Sequence, residues 1–272
     1  MRVAVVGLGL IGGSIALAAR ERLDAEVRGW DPDPTAVAAA VRRGALASGA
    51  GSLADAVAGA DVVVTAAPVT ALPQVLAEVL AVAAADAAVT DVGSTKGTIV
   101  AGVDDPRFVG GHPLAGAETS GAENASPDLF EGSLWYLAPG AGTAQRTVDR
   151  VERLVQALGA IPARVDAAGH DRLMAAVSHL PHVFANVLVA HALQAGAQGA
   201  SGPSFRDATR VAGANPAVWG AIFLDNRRAV AEAIADAVAR LDAFRSELER
   251  GDAEAIARWC ERAAADRERL GR

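Results

Sequence analysis

Cysteine occurs once in the 272 residues, at Cys260, and tyrosine occurs once. A single thiol closes no internal disulfide and completes no thiolate metal site, so a cross-linked secreted scaffold is excluded. Cys260 lies in a helical pattern near the C-terminus and is expected to pack there. Positive charge is also scarce: 25 lysines and arginines face 32 acidic residues, a net charge of −7. No basic stripe with interleaved aromatics appears, which removes nucleic acid from the expected partners. Met1 runs directly into a strand-like segment, leaving no room for a leader. The alanine-rich apolar stretches are expected to be broken by charge or helix caps before they could span a bilayer. The expectation is a soluble cytoplasmic protein with no membrane partner. What the chain has in quantity is apolar bulk, 51% of its residues, enough for the cores of two ordinary domains.

Val3 to Val6 reads as a buried strand, followed by Gly7-Leu8-Gly9-Leu10-Ile11-Gly12-Gly13-Ser14 and the helix-forming run Ile15 to Arg20. Strand, glycine turn and helix come in the order a dinucleotide-binding fingerprint requires. Gly7 permits the tight turn, Gly9 lets the backbone reach a pyrophosphate, and Gly12 lets the helix pack near its strand. Leu10 and Ile11 open the helix whose N-terminus would hold the phosphates. A second strand, Glu26 to Trp30, ends in Asp31, whose carboxylate can accept from the ribose hydroxyls. Asp31-Pro32-Asp33-Pro34 also has the composition of a tight turn, and both uses can coexist. No arginine follows until Arg42 and Arg43, so no clamp for a ribose phosphate is evident and NAD is the expected cofactor.

Strand-like and helix-like segments then alternate, the sign of a parallel sheet with crossover helices. Strands are expected over Asp61 to Ala66, Ala88 to Asp91, Leu134 to Ala138 and Ala163 to Asp166, with a helix over Ala71 to Ala84. Ala67 and Pro68, small residues after a strand, fit either a loop start or a nicotinamide resting on the carboxyl edge of the sheet. After Asp166 the strand signal disappears. The fold class is therefore α/β: a Rossmann-type, mostly parallel sheet domain over residues 1–166, then an all-α domain over residues 167–272. In the latter, Asn215-Pro216 makes a helix start, and Trp219, Ile222, Phe223, Val230, Ile234, Val238, Leu241 and Leu248 recur at helical spacing. So long a stripe could be a monomer core, but a small helical domain has few other ways to bury it, so a homodimer seam is expected.

The candidate chemistry centres on Phe108-Val109-Gly110-Gly111-His112-Pro113, where a histidine sits in a glycine-flanked, proline-locked turn after a short strand. Gly110 and Gly111 are expected to let the backbone approach a ligand, and Pro113 biases His112 toward an extended conformation. A rigid imidazole presented this way suits a general base, although a buried structural histidine could share the setting. Ser94, between strand and helix, could be an N-cap or could bond a substrate oxygen or the nicotinamide ribose. Lys96 could be a solvated first-turn residue or an anion contact, and the former is expected. In Ser178-His179-Leu180-Pro181-His182 the proline should interrupt the helix by pushing Leu180 out of helical geometry. The two histidines could be interface residues or site residues. Without an HExxH pattern or a third ligand at useful spacing, no metal is expected. Arg206 and Arg210, one turn apart beside Asp207, fit a carboxylate clamp or a solvated face.

Taken together these motifs resemble the prephenate dehydrogenase family of tyrosine biosynthesis, which includes arogenate dehydrogenases. The resemblance runs over nearly the whole chain. It is carried by the glycine fingerprint, by Asp91-Val92-Gly93-Ser94-Thr95-Lys96, by Gly110-Gly111-His112-Pro113 with Gly116 and Glu118, by Ser178 to His182, and by Phe205-Arg206-Asp207 with Thr209-Arg210. It implies NAD-dependent oxidative decarboxylation of a small cyclohexadienol. His112 would contact the ring hydroxyl with Ser94 in support, Arg210 and His182 would bind carboxylate or polar side-chain groups, and His179, Glu118 and Asp207 would lie near the substrate. Glu118 or Glu123 could favour the ammonium of arogenate over the keto acid of prephenate. Some relatives carry a mutase domain before the fingerprint or a regulatory domain after the helical part. These 272 residues hold neither, so feedback by tyrosine through such a domain is not expected. Dehydrogenases of the β-hydroxyacid type use a lysine in the helical domain, and none follows Lys96. A sensor that binds NADH without turnover would lack a use for the His112 and Arg210 motifs.

Overall fold

The chain is described from a computed structural model, over residues 1–116, 119–199 and 201–270. Seven strands form one sheet: β1 (Arg2–Val6), β2 (Glu26–Trp30), β3 (Val62–Thr65), β4 (Ala88–Asp91), β5 (Phe108–Pro113), β6 (Leu134–Ala138) and β7 (Ile161–Arg164), in the order β2-β1-β3-β4-β5-β6-β7. The first five are mutually parallel; β6 runs antiparallel to β5, and β7 parallel to β6. Helices α1 (Leu10–Leu23), α2 (Pro34–Arg42), α3 (Leu53–Val57), α4 (Leu72–Val82), α5 (Gly97–Ala101) and α6 (Gln145–Ala157) connect them. One core, between the sheet and α1, α2 and α6, gathers Val3, Val5, Ile15, Val64 and Leu154; the other, toward α3, α4 and α5, gathers Val6, Val63, Leu72, Leu76 and Ile99. Covered on both faces, β3 and β4 are buried along their whole length, as inner strands of a parallel sheet should be, with Asp91 of β4 a buried charge.

The last strand forms two residues earlier than its sequence suggests, because Asp166 leaves the sheet to cap a helix: its carboxylate accepts from Gly169 N at 2.7 Å. From there the chain is helical: α7 (Ala167–Met174), α8 (Leu180–Gln194), α9 (Pro203–Thr209), α10 (Pro216–Asp225), α11 (Arg227–Arg250) and α12 (Ala253–Arg269). Asn215 caps α10 by accepting from Ala217 N and Val218 N.

Two expectations fail between α7 and α8. Leu180 keeps helical angles (φ −60°, ψ −42°), and a π-helical turn over Ala175–His179 joins the two helices without a break. The wider turn makes room for the Pro181 ring, which would otherwise meet the carbonyl four residues earlier. The result is a continuous helix from Ala167 to Gln194, 28 residues with a hydropathy of 1.5, long and apolar enough by length and composition to cross a membrane. So not every apolar stretch is interrupted. This helix buries His170, Asp171 and His179, although only 22% of its apolar window is covered. Its other side exposes Val177, Val187 and Leu193, and Val238, Leu241 and Leu248 of α11 are exposed as well. The helical stripe thus divides: Ile222 and Val230 are buried, while its later members are not. Cys260 is exposed rather than packed, because α12 lies on the surface with no buried residue.

Candidate active site

All the sheet-borne candidates gather at the carboxyl edge of β1, β3, β4 and β5, where open α/β sheets hold ligands. Gly7 adopts φ +96°, and a Cβ there would overlap the Ala66 carbonyl; one at Gly12 would overlap the Gly7 carbonyl oxygen. These two glycines are demanded by packing. Gly9 is different, since a Cβ there would meet nothing within 4 Å. It caps α1 without a side-chain bond, and the first turn of α1 carries no acidic residue. A helix N-terminus facing open space with bare glycine before it fits a pyrophosphate. Leu10 and Ile11 form that first turn, half-buried. Asp31 serves the expected tight turn, with Oδ1 accepting from Asp33 N at 2.8 Å, and its Oδ2 accepts from Leu8 N at 2.7 Å, so the carboxylate is braced beside the glycine loop. Ala67 is half-buried and Pro68 exposed just beyond β3.

Lys96 departs furthest from expectation. It is fully buried and ion-paired to Asp91, itself fully buried. Asp91 accepts through Oδ2 from Gly93 N at 2.7 Å and through Oδ1 from Gly111 N at 3.0 Å. Strands β4 and β5 pair only at Val89–Phe108 and Thr90–Val109. Beyond that point the Asp91 side chain replaces the ladder and fixes the backbone next to His112. Gly110 and Gly111 serve this packing rather than the approach of a ligand: a Cβ at Gly110 would lie 3.1 Å from Lys96 Cδ, and one at Gly111 would overlap the Asp91 carbonyl. Ser94 is half-buried on the same β4–α5 segment and caps no helix, since α5 begins at Gly97.

His112 lies on β5 opposite Tyr136 of β6. Its Nδ1 is 2.9 Å from His170 Nε2, and His170 Nδ1 is 2.8 Å from Asp171 Oδ1. Asp171 in turn accepts from Lys96 N and Gly97 N, each at 2.8 Å, and so caps α5 from the helical part of the chain. A carboxylate only accepts, so His170 Nδ1 carries the hydrogen and its Nε2 is the acceptor. His112 Nδ1 must then donate, leaving Nε2 as the basic atom. Burial, aided by His170, Lys96 and His179, holds the His112 pKa well below 6.5, so the ring is neutral at physiological pH.

His179 and His182 line a second wall. His179 is buried, and its Nδ1 is 3.1 Å from Asn226 Nδ2, which also donates to Asp171 O at 2.8 Å. His182 Nδ1 donates to Ser178 O at 3.1 Å, and its ring stacks on Trp219 with centroids 3.3 Å apart. His182, Asn186, Val211, Pro216, Trp219 and Phe223 help line a pocket of about 260 Å³. Burial lowers the His182 pKa, the Ser178 carbonyl opposes that shift, and the charge of Arg210, which opens the 3-10 turn after α9, adds to it. Asp207 and Arg206 are exposed, and Arg206 donates to Ser201 O at 2.7 Å. Glu118 lies outside the described residues. His170, Asp171 and Asn226 were not singled out from the sequence; the adjacent His-Asp pair just after a helix start was the available signal.

This cluster makes acid lability predictable. Burial lowers the His179 pKa from 6.5 to about 4, so below pH 6.5 the unfolded chain binds a proton that the folded one refuses. Stability should fall as pH drops from 6.5 toward 4, by up to about 3 kcal/mol from this residue. Urea midpoints across that range, compared with those of His179→Gln, should show a shallower loss in the variant; equal slopes would contradict the assignment.

Comparison with known proteins agrees with the geometry. Residues 15–163 match the family model for the prephenate dehydrogenase nucleotide-binding domain, and residues 166–262 that for the prephenate dehydrogenase dimerization domain. A prephenate dehydrogenase of Bacillus subtilis (strain 168) is 33% identical over 270 residues, covering 94% of this chain and 72% of the relative. The crystal structure of prephenate dehydrogenase from A. aeolicus in complex with hydroxyphenyl propionate and NAD+ superposes with a TM-score of 0.90 at 30% identity, covering 99% of this chain and 98% of that one. Synechocystis arogenate dehydrogenase gives a TM-score of 0.89 at 26% identity, over 99% of this chain and all of that one. Fold, edge-of-sheet site and both matched domains lead to one conclusion: the chain belongs to the prephenate dehydrogenase family.

Proposed function

We propose that this protein is an NAD-dependent prephenate dehydrogenase, converting prephenate to 4-hydroxyphenylpyruvate with loss of carbon dioxide. The observation that carries the reading is the fixed tautomer of His112, which leaves a neutral, basic Nε2 on a ring held through His170 by Asp171 of the helical part. NAD, when bound, supplies the hydride acceptor for the carbinol carbon. His112 Nε2 takes the hydroxyl proton as the carbon is oxidised, the bond to the ring carboxylate breaks, its electron pair completes the aromatic ring, and Nε2 returns the proton to the phenolate oxygen. Ser94 supports the hydroxyl contact or the nicotinamide ribose. The glycine loop over Gly7, Gly9, Leu10, Ile11 and Gly12 holds the pyrophosphate, Asp31 the adenosine ribose, and Ala67 and Pro68 flank the nicotinamide side. A phosphate on that ribose would meet the Asp31 carboxylate, while Arg43 Nε is turned to Ala125 O at 3.0 Å, which favours NAD over NADP.

Residues 1–166 form the cofactor unit, and residues 167–272 the substrate and dimerisation unit. Arg210 and His182 take substrate carboxylate, with His179, Asp207 and Glu118 near it. Arg210→Ala should raise KM for substrate by roughly 10–100-fold, the worth of a hydrogen bond to a charged group, with kcat little changed. An unchanged KM would refute the role. The exposed apolar residues of α8 and α11 are the seam of a homodimer, as the matched dimerization domain supports, and we infer a cytoplasmic enzyme. Arogenate is the alternative substrate, favoured by the likeness to the Synechocystis arogenate dehydrogenase. NADH formation with prephenate or arogenate, and with NAD or NADP, tests the reading: turnover of prephenate with NAD supports it, turnover of arogenate alone transfers it to the alternative, and silence with NAD bound rejects both.

A further inference from the structure

The reaction as written uses one face of His112 and leaves His170 idle, although His170 is fully buried. Its ring is wedged between two aromatic partners, 5.1 Å from the His112 centroid and 5.7 Å from that of Tyr136, edge-on to both. Nothing about core packing asks for an imidazole there. Both of its nitrogens are used, one toward His112 and one toward Asp171, and Asp171 is locked by two backbone N–H groups at the start of α5. The hydrogen bonds therefore converge on Asp171, from Lys96 N and Gly97 N on one side and from His112 through His170 on the other. Each hydrogen sits on the atom nearer His112, apart from those of the two amides that hold Asp171.

We propose that His170 is a proton relay: as His112 Nε2 takes the substrate hydroxyl proton, His112 Nδ1 passes its own proton to His170 Nε2, and the positive charge settles beside Asp171. The proposal rests on His112 being the base of the reaction above. One O–H and one N–H bond break and two N–H bonds form. The rings together gain a single positive charge, and the carboxylate next to His170 balances it. Once carbon dioxide has left, His112 Nε2 returns its proton to the phenolate oxygen as His170 passes its proton back to His112 Nδ1, and both rings are neutral again when product leaves. The physical reason is where a buried cation can rest. An imidazolium at His112 would be desolvated and would face Lys96, whereas at His170 it touches an anion already in place.

His170→Gln separates holding from passing. Glutamine can accept from His112 Nδ1 and donate to Asp171, preserving both hydrogen bonds, but it takes up no proton. The expected result is a loss of about 10²-fold in the rate of the NADH burst, with the Kd for NAD and the KM for substrate unchanged. In mixtures of H2O and D2O the wild-type burst should give a bowed proton inventory, two protons moving together, and the variant a linear one. A linear wild-type inventory, or a wild-type burst rate in His170→Gln, would overturn the relay. An arm independent of turnover guards against failure of the functional reading itself. In 15N-histidine spectra of the resting protein, His112 and His170 should both be protonated at Nδ1 and bare at Nε2, and a hydrogen on His112 Nε2 would overturn the proposal. A wild-type enzyme silent on both substrates would reject the functional reading and leave that spectroscopic arm intact.

Discussion

His112→Asn should lower kcat by about 10²–10⁴-fold while leaving NAD affinity as it is, because the substitution removes the proton acceptor and nothing that holds the cofactor. The residues placed around the cofactor are the glycine loop before α1, the braced Asp31 and the edge of β3, none of which bonds the imidazole. Asparagine keeps a polar group in extended backbone on β5, so the β5–β6 pairing should survive. Burst kinetics and a titration of NAD by fluorescence give the two numbers separately. A parallel loss of NAD affinity would show that His112 serves the cofactor and not the proton. The pH profile adds a second check. Since His112 must be neutral to act and burial holds its pKa well below 6.5, kcat/KM should stay level through neutrality and fall only at distinctly acid pH.

Lys96→Ala should cost about 3–5 kcal/mol of unfolding free energy, the range for removing one partner of a buried ion pair. Lys96 is the only lysine in the chain, and it is fully buried. Burial lowers its pKa, while Asp91, Asp171 and Asp225 oppose that shift. Without the ammonium, Asp91 would remain as a charge with no counterion at the point where it holds Gly111 N and, through it, the strand that presents His112. Stability and activity should fall together. Urea unfolding at neutral pH measures the first, and a loss under about 1 kcal/mol would show that the pair is not the keystone described.

The contrast between Lys96 and His112 shows what the sequence makes legible. Local chemistry is readable: the glycine fingerprint, the Asn215 cap and the strands over 26–30, 88–91 and 134–138 rest on turn residues, caps and apolar runs a few positions long. The resemblance to the family also rested on such short motifs. What propensity does not carry is tertiary. A lysine two residues after a serine reads as a solvated first-turn residue until β5 is seen to close over it, and the glycines of β5 are then needed for that lysine and for Asp91, not for a ligand. Pro181 reads as a break unless a π turn upstream absorbs its ring. His170 and Asp171 were legible only as a pair of polar residues at a helix start. Their partners are 58 positions back at His112 and 75 positions back at Lys96, and no local pattern spans that distance. Scarcity was the overlooked clue: of five histidines in the chain, four converge on this one region.

The most direct test of the central claim is stoichiometry. With prephenate and NAD, the purified protein should release one carbon dioxide for each NADH formed, and prephenate carrying deuterium at the carbinol carbon should deliver that label to the NADH. NADH without matching carbon dioxide, or carbon dioxide without label in the NADH, would contradict a coupled hydride transfer and decarboxylation at this site.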